Sequence, residues 1–492
     1  MAEEIYDVIV VGAGNAGLTA ALAAHDNGAK VLLLDKCPKG TRGGNTRFSG
    51  GGFRFTYNSI DEMRPMVPHV GDEEAARLEV GTYTTADFYE DVMQVTEYAA
   101  EKKLTSILVD QSYPTVRWLH ENGVSWILAA STHAVRMGGK IKFPPGRVIS
   151  VNDGGLGLVE MLFTTIEKKP IRVIYEAKAI GFLTGEYAGV AGVRVQTTEG
   201  IQDFDGRSVV LAAGGFEANP EMRARYLGAG WDLVKVRGSR YNSGEALSFA
   251  LAFGAQPTGH WSGCHAVLVD AEAPDVEAAY EHRYSYPYGI MVDINGKRFA
   301  DEGEDFFTYT YAKFGRQVLQ LPWRTAYQIF DSKTRNLLRS EYNKGSSVSA
   351  DSIEALGKKL PGLDWENLVA TVNEFNGAVQ DIPFDPSKRD GKRTKEISPE
   401  KTNWAQKLDS PPFYAFPVTC GITFTFGGVK ITEKGQVTST EGRIIGGLFA
   451  AGEITGGAFY NNYPGGSGLM KGAVFGRLAG ASAAEFAKSK RS

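Results

Sequence analysis

Residues 7–36 read DVIVVGAGNAGLTAALAAHDNGAKVLLLDK. An apolar run from Val8 to Val11 ends in Gly12-x-Gly14-x-x-Gly17 and passes into an alanine-rich stretch that closes on Asn27-Gly28, a helix C-cap signal. A second apolar run, Val31 to Leu34, ends on Asp35. Strand, glycine turn, helix, strand and acid, in that order, make a dinucleotide-binding βαβ unit. Gly12 permits the tight turn, Gly14 lets the backbone approach a pyrophosphate, and Gly17 brings helix against strand. The amides that open the helix, at Asn15 and Ala16, face the phosphates with the helix dipole behind them. Asp35 is placed to accept hydrogen bonds from ribose hydroxyls. An ordinary buried βαβ unit is the competing reading, and the presence of every feature in order weighs against it.

Composition narrows the class. A chain of 492 residues exceeds one typical core, so two or more domains are expected. A hydrophobic fraction of 43% and a charged fraction of 22% are those of a globular protein. The net charge of −4, with no basic block, argues against nucleic acid as a partner. Cys37, Cys264 and Cys420 are isolated, which predicts no metal cluster and no disulfide framework. The acidic start and the absence of a long apolar stretch predict no signal peptide and no membrane span, hence a cytoplasmic protein.

Further along, Arg42 to Phe55 (RGGNTRFSGGGFRF) is rich in small and polar residues and suits backbone wrapped round a ligand, with a surface loop as the alternative. Residues 85–118 and 154–169 have helical patterns, and short strands follow at 171–177, 179–185, 189–197 and 208–216. Of these, the first is expected in the parallel sheet and the next two in a meander. NSGEALSFALAFGA, from Asn242, predicts an N-capped helix. Past residue 260 aromatic residues thicken and the βαβ rhythm stops. Ile290 to Ala300 predicts a hairpin about Asn295-Gly296, and helices are expected at 352–360 and 365–379. The first style returns in GGLFAAGEITGG (446–457) and YPGGSGLMKGAVFGRLAG (463–480). A second glycine cradle so distant from the first points to a large, extended cofactor.

These motifs resemble the FAD-dependent superfamily of fumarate reductases, succinate dehydrogenases and 3-ketosteroid dehydrogenases, most closely its tricarballylate dehydrogenases. The resemblance rests on RGGNT (42–46), VVLAAGGFE (209–217), RGSRYNSG (237–244), GCHAV (263–267), DEGEDF..YTYAKFGR (301–316), AAGE and NYPGGSGL, and covers almost the whole chain. It implies an α/β fold: a Rossmann-like FAD-binding domain (1–259 and 421–492) with an inserted α+β capping domain (260–420) and substrate between cap and flavin ring.

The resemblance also implies cofactor contacts. Gly12, Gly14, Asn15, Ala16, Gly17, Asp35 and Lys36 bind the ADP half, with Ala177 beside them. Arg42, Gly43, Gly44, Asn45, Thr46, Ser49, Gly50 and Gly51 follow the pyrophosphate and ring. Ala213, Gly214, Gly452, Glu453, Ser467, Gly468 and Leu469 complete the site. Asn45 stands where some relatives carry a flavin-linking histidine, so non-covalent FAD is expected.

The implied reaction makes or saturates a C=C bond beside a carbonyl or carboxylate, with hydride exchanged at flavin N5 and a side chain handling the α-proton. The implied partners are a small carboxylate or ketone substrate and an unidentified electron donor or acceptor. The arginine acid of fumarate reductases matches Phe306, their substrate-anchoring arginine matches Tyr463, and a histidine before GGV matches Phe424. Phe307 stands where tricarballylate dehydrogenases carry an arginine. His265 matches a substrate-side histidine whose charge change near neutral pH would suit a carboxylate, with a structural histidine as the alternative. Tyr463, His265 and Tyr309 are thus the catalytic candidates, and Arg47, Phe306, Thr425, Tyr460 and Gly466 the substrate-binding ones. Arg54, Arg136 and Arg147 are further possible carboxylate clamps. Two other readings stay open: ketosteroid-like chemistry on a cyclic ketone, and a flavin-free binding protein on the same scaffold.

Overall fold

Tyr6–Val11 forms β1, with all six residues buried, as a parallel strand covered on both faces requires. The computed structural model describes residues 4–130, 134–185, 189–278 and 282–490; the side chains of 135–137, Arg136 among them, lie outside the described residues. β1 runs into α1 (Asn15–Asp26), which ends on Asn27 with Gly28 at φ +74°, and then β2 (Val31–Leu34). Two compact units follow from the chain's internal contacts. Met1–Asp232, Gly238–Cys264 and Phe424–Ser492 form the first; Leu233–Arg237 and His265–Thr423 form the second. Residues 233–237 thus sit in the second unit, because Lys235 and Val236 pair in parallel with Gly421 and Ile422.

The first unit is Rossmann-like. Its remaining elements include α2 (Gly154–Glu167), β3 (Arg172–Ile174), β4 (Lys178–Thr184), β5 (Val190–Thr197), β6 (Gly200–Leu211), α3 (Glu245–Ala252), β7 (Gln436–Thr438), β8 (Ile444–Ala450) and α4 (Ser467–Ser489). The sheet order is β7-β8-β6-β1-β2-β3, parallel except for the β7–β8 edge. β4, β5 and the first half of β6 make an antiparallel meander. β6 is longer than the sequence pattern suggested, because its polar half (200–205) pairs with β5 while its apolar end joins β1. The 85–118 region folds as three helices, Thr85–Val95, Lys102–Asp110 and Ser112–Glu121. α3 is not capped by Asn242. Gly244, at φ +81°, occupies the cap, and the Asn242 side chain is drawn to a buried carboxylate.

The second unit is α+β. Its sheet places Thr325–Phe330 between Phe413–Val429 and Ile290–Asp293. Helices Ile353–Gly357 and Trp365–Ala378 cover a core of Ile290, Ile329, Leu368, Val372 and Phe375. The expected hairpin after Ile290 is reduced to a turn. Beyond Asn295-Gly296 the return arm makes one bridge, Val292 to Arg298, and Ile290–Asp293 pairs with Thr325–Phe330. Arg298 turns inward to Glu302 at 2.6 Å, which draws the arm off the sheet. No helix among the described residues is long and apolar enough to cross a membrane.

Candidate active site

The cradle begins at Gly12 and Gly17. A Cβ on Gly17 would lie 1.8 Å from the Gly12 carbonyl oxygen, and one on Gly12, at φ +101°, 2.4 Å from the Ala212 oxygen. Gly17 therefore lets α1 sit directly on the turn that leaves β1. The α1 cap, Gly14, supplies no side-chain acceptor to the helix amides. Asn15 N–H donates to Thr46 Oγ1 at 2.9 Å, and Asn15 Nδ2 donates to the Leu469 carbonyl at 2.7 Å. The N-terminal turn, the 42–51 loop and the start of α4 are in this way tied together.

Arg54 makes the second tie. Its backbone N–H donates to the Gly466 carbonyl at 3.2 Å and its Nε to the Gly465 carbonyl at 2.9 Å. Its Nη1 reaches Tyr83 and Asp91 at 2.8 and 2.9 Å, with the side chain fully buried. Arg54 is thus a bolt between two loops and is not available as a substrate clamp. The glycines opening α2 have a matching purpose. A Cβ on Gly155 would lie 1.8 Å from the Thr46 carbonyl oxygen, and one on Gly51 2.6 Å from Gly154 Cα.

Unused polar atoms mark where a ligand fits. Asp35 Oδ2, Asn15 Oδ1 and Ser467 Oγ are buried without a hydrogen-bond partner. Asp35 is 8% exposed at the end of β2, and burial holds its carboxyl above the ordinary range. Ribose hydroxyls are donors of the kind its orphaned oxygen lacks. With the glycine cradle, these atoms suit FAD; the Asn15 amide, expected on the phosphates, is taken by Thr46 Oγ1. Ala177 donates its N–H to the Asp35 carbonyl at 2.9 Å and closes the same corner.

Two side chains expected on the cofactor are used elsewhere. Arg42 binds Glu160 and Glu167 at 2.5 and 2.9 Å and lies over the Phe163 ring at 4.0 Å, so its guanidinium anchors α2. Lys36 binds Glu245 and Ser243 at 2.8 and 2.7 Å. In both cases sequence spacing could not reveal the acids, which lie 118 to 209 positions away.

The sequence singled out Asn45, Thr425 and Glu453 separately but not Glu217, the second carboxyl of the cluster they belong to. Asn45 Nδ2 donates a short hydrogen bond to Glu217 Oε1, and Asn242 Nδ2 reaches the same oxygen at 2.6 Å. Thr425 donates its N–H (2.8 Å) and its hydroxyl (3.2 Å) to Glu453 Oε1. Gly214 (φ +76°) and Gly215 leave room here: a Cβ on Gly214 would strike Asn242 Nδ2, and one on Gly215 would strike Glu453 Oε1.

Tyr463, 5% exposed, packs edge-on to Phe424 at 5.0 Å and tilted to Phe459 at 5.3 Å. Gly468 borders it, Gly466 caps α4 at φ +90°, and Tyr460 stacks on His260 at 5.9 Å. Arg47 and Ser49 lie half-buried on and just after the short 3-10 turn that begins at Gly44; Gly50 is exposed. Gly43 is held at φ +106° against Val159, and Gly452 at φ +79° against Ala16. Ala213 follows β6 one residue after buried Ala212. The Arg147 guanidinium packs on Gly52.

In the second unit His265 meets Tyr311 edge-on at 4.7 Å, and Tyr311 meets Tyr284 at 5.1 Å. Tyr309, two positions earlier on the helix Phe307–Leu319, points to another face. Phe306 caps that helix and packs on Trp404 at 5.4 Å. The Arg237 charge acts on His265, His282 and Tyr284. Burial first, and then Arg237, hold His265 well below the ordinary imidazole range. This shift favours the neutral ring and runs against the charge change near neutral pH that the sequence suggested. Burial pushes the Tyr284 hydroxyl up to about 12.

Residues 7–469 match the family described as "FAD binding domain". The chain is 30% identical over 505 residues to a fumarate reductase (cytochrome) of Shewanella frigidimarina, covering 99% of this chain and 78% of the relative. It is 25% identical over 582 residues to a 3-oxosteroid 1-dehydrogenase of Mycolicibacterium smegmatis, covering 100% and 99%. Among solved structures, the open conformation of a flavocytochrome c3 fumarate reductase aligns with a TM-score of 0.73 at 27% identity, covering 98% of this chain and 79% of that one.

Proposed function

The chain belongs to the FAD-binding domain family, and on that premise we propose that it oxidises a CH–CH bond or reduces a C=C bond next to the carboxylate of a small acid. It is an FAD-dependent oxidoreductase of the fumarate reductase and 3-ketosteroid dehydrogenase superfamily. The observation that supports the carboxylate is Arg237: a buried guanidinium acting on a neutral imidazole and a buried phenol, His265 and Tyr284, suits an anion with oxygens to share. Tricarballylate-like acids are the finer form of this reading, on the motif likeness alone.

FAD, when bound, supplies the hydride acceptor or donor. This chain's residues do the rest. Gly12, Gly14 and Gly17 admit the pyrophosphate, Asp35 takes the ribose, and Ser467 presents its free hydroxyl from the first turn of α4. Tyr463 exchanges the proton, and His265 donates or accepts a hydrogen bond as a neutral ring. The rings round Tyr463 exclude water and also favour a second reading, a cyclic ketone, because Phe424, Phe426 and Phe459 form an apolar wall.

Anaerobic mixing with saturated di- and tricarboxylates and with a saturated cyclic ketone separates the two. Bleaching of the flavin absorbance by a carboxylate alone is the expected result; bleaching by the ketone alone overturns it. Asn45 offers no ring nitrogen for covalent attachment. Acid precipitation is therefore expected to leave a colourless pellet and a yellow supernatant, and a yellow pellet would contradict non-covalent binding.

A further inference from the structure

Glu217 and Glu453 follow the ends of β6 and β8, in AAGGFE and AAGE. Each has one oxygen saturated by neutral donors: Asn45 and Asn242 on Glu217 Oε1, Thr425 on Glu453 Oε1. The Glu217 and Glu453 side chains lie within hydrogen-bonding reach of each other, yet Glu217 Oε2 is buried with no donor to it. Two ionised carboxylates hold no donor between them, so this contact requires a proton. We propose that Glu217 and Glu453 share one proton in an O–H···O⁻ bond, and that Glu217 is thereby a positioning residue for FAD.

The charged groups nearby do not replace that proton. Lys471, from α4, donates to the Thr455 carbonyl at 2.6 Å and acts on Glu453 through charge alone. Arg223 donates to the Glu217 backbone carbonyl and to the carbonyls of Trp231 and Asp232. Asn45, Asn242 and Thr425 are neutral. One proton on the pair leaves a single negative charge facing one lysine.

Three loops of the cradle hang on the bond. Asn45 Oδ1 accepts from Ser239 N–H at 2.7 Å while its amide grips Glu217, which fixes the RGGNT loop. Glu217 ends the AAGGFE loop, and Glu453 carries the AAGE turn. Loss of the shared proton would set two negative charges against each other and let these loops part. Burial, and then the charge of Glu453, hold Glu217 well above the ordinary carboxylate range; burial raises Glu453 as well. The sign follows. Carboxyls with a raised folded pKa strengthen the closed form at low pH, and that contribution is lost as pH rises through the pair's ionisation.

The test is FAD retention by the holoenzyme, measured by ultrafiltration from mildly acidic to alkaline buffer. In the wild-type protein, FAD affinity is expected to fall with pH, by at most about tenfold per pH unit for one linked proton. Glu217→Gln keeps a donor toward Glu453 but cannot titrate, so its slope should be smaller by that one proton. Asp35 titrates in both proteins and cancels in the comparison. An unchanged slope in Glu217→Gln overturns the proposal. Infrared spectra give a second measure that does not need the variant to bind FAD well. At neutral pH the wild-type holoenzyme should show a protonated-carboxyl stretch that Glu217→Gln and Glu453→Gln both lose; no such band in the wild type also overturns the proposal.

Discussion

Gly17→Ala should leave the polypeptide folded but almost free of flavin. The added Cβ would meet the Gly12 carbonyl oxygen at 1.8 Å and its carbon at 2.9 Å, both backbone atoms that no rotamer change can move. α1 must therefore lift from the turn, and the amides proposed to receive the pyrophosphate lift with it. Overpacking of this kind costs about 3 kcal/mol at the upper end of its usual range, or roughly a hundredfold in Kd. Flavin absorbance per polypeptide and titration with added FAD measure the loss, and circular dichroism checks the fold. Gly40→Ala is the control, because nothing lies within 4 Å of its Cβ and full flavin content is expected. A Gly17→Ala protein with normal flavin content would remove the pyrophosphate from this turn.

Tyr463→Phe tests the chemistry with little structural change. The phenyl ring keeps its edge contact with Phe424 and its packing on Phe459, and only the hydroxyl goes. Removal of a proton-transfer group slows the chemical step by roughly a hundredfold or more. Substrate-driven flavin reduction in anaerobic stopped flow should fall by about that factor, with FAD content unchanged. An unaltered rate would reduce Tyr463 to a wall of the site.

What the sequence made legible was local. The turn at Gly12–Gly17, the helix behind it and Asp35 lie within one continuous stretch, where periodicity and glycine spacing carry the meaning. The same holds for α4 and its glycine opening. Side-chain partners distant in the chain were hidden. The sequence placed Arg42 along the cofactor, but Glu160 and Glu167 on α2 take its guanidinium. Asn242 looked like a helix cap because it precedes Ser-Gly-Glu, yet a carboxylate 25 positions earlier claims it. Tyr309 and Tyr311 could not be ranked without the helix phase, which turns Tyr311 to His265. Glu217 closes the VVLAAGGFE motif but drew no role from it, because its contact with Asn45 spans 172 positions. Arg237 fell in a recognised segment but carried no mark of burial or of neighbouring rings.

The bond from Asn15 to the Leu469 carbonyl spans 454 positions and sets a timetable for the newborn chain. At about 5–20 residues per second, the first βαβ unit leaves the ribosome roughly half a minute to a minute and a half before its last partner is made. Throughout that interval the face of α1 that α4 later covers is bare. Flavin capture therefore belongs to the end of translation or after it, and a premature stop upstream of α4 would cost the protein its colour as well as its tail.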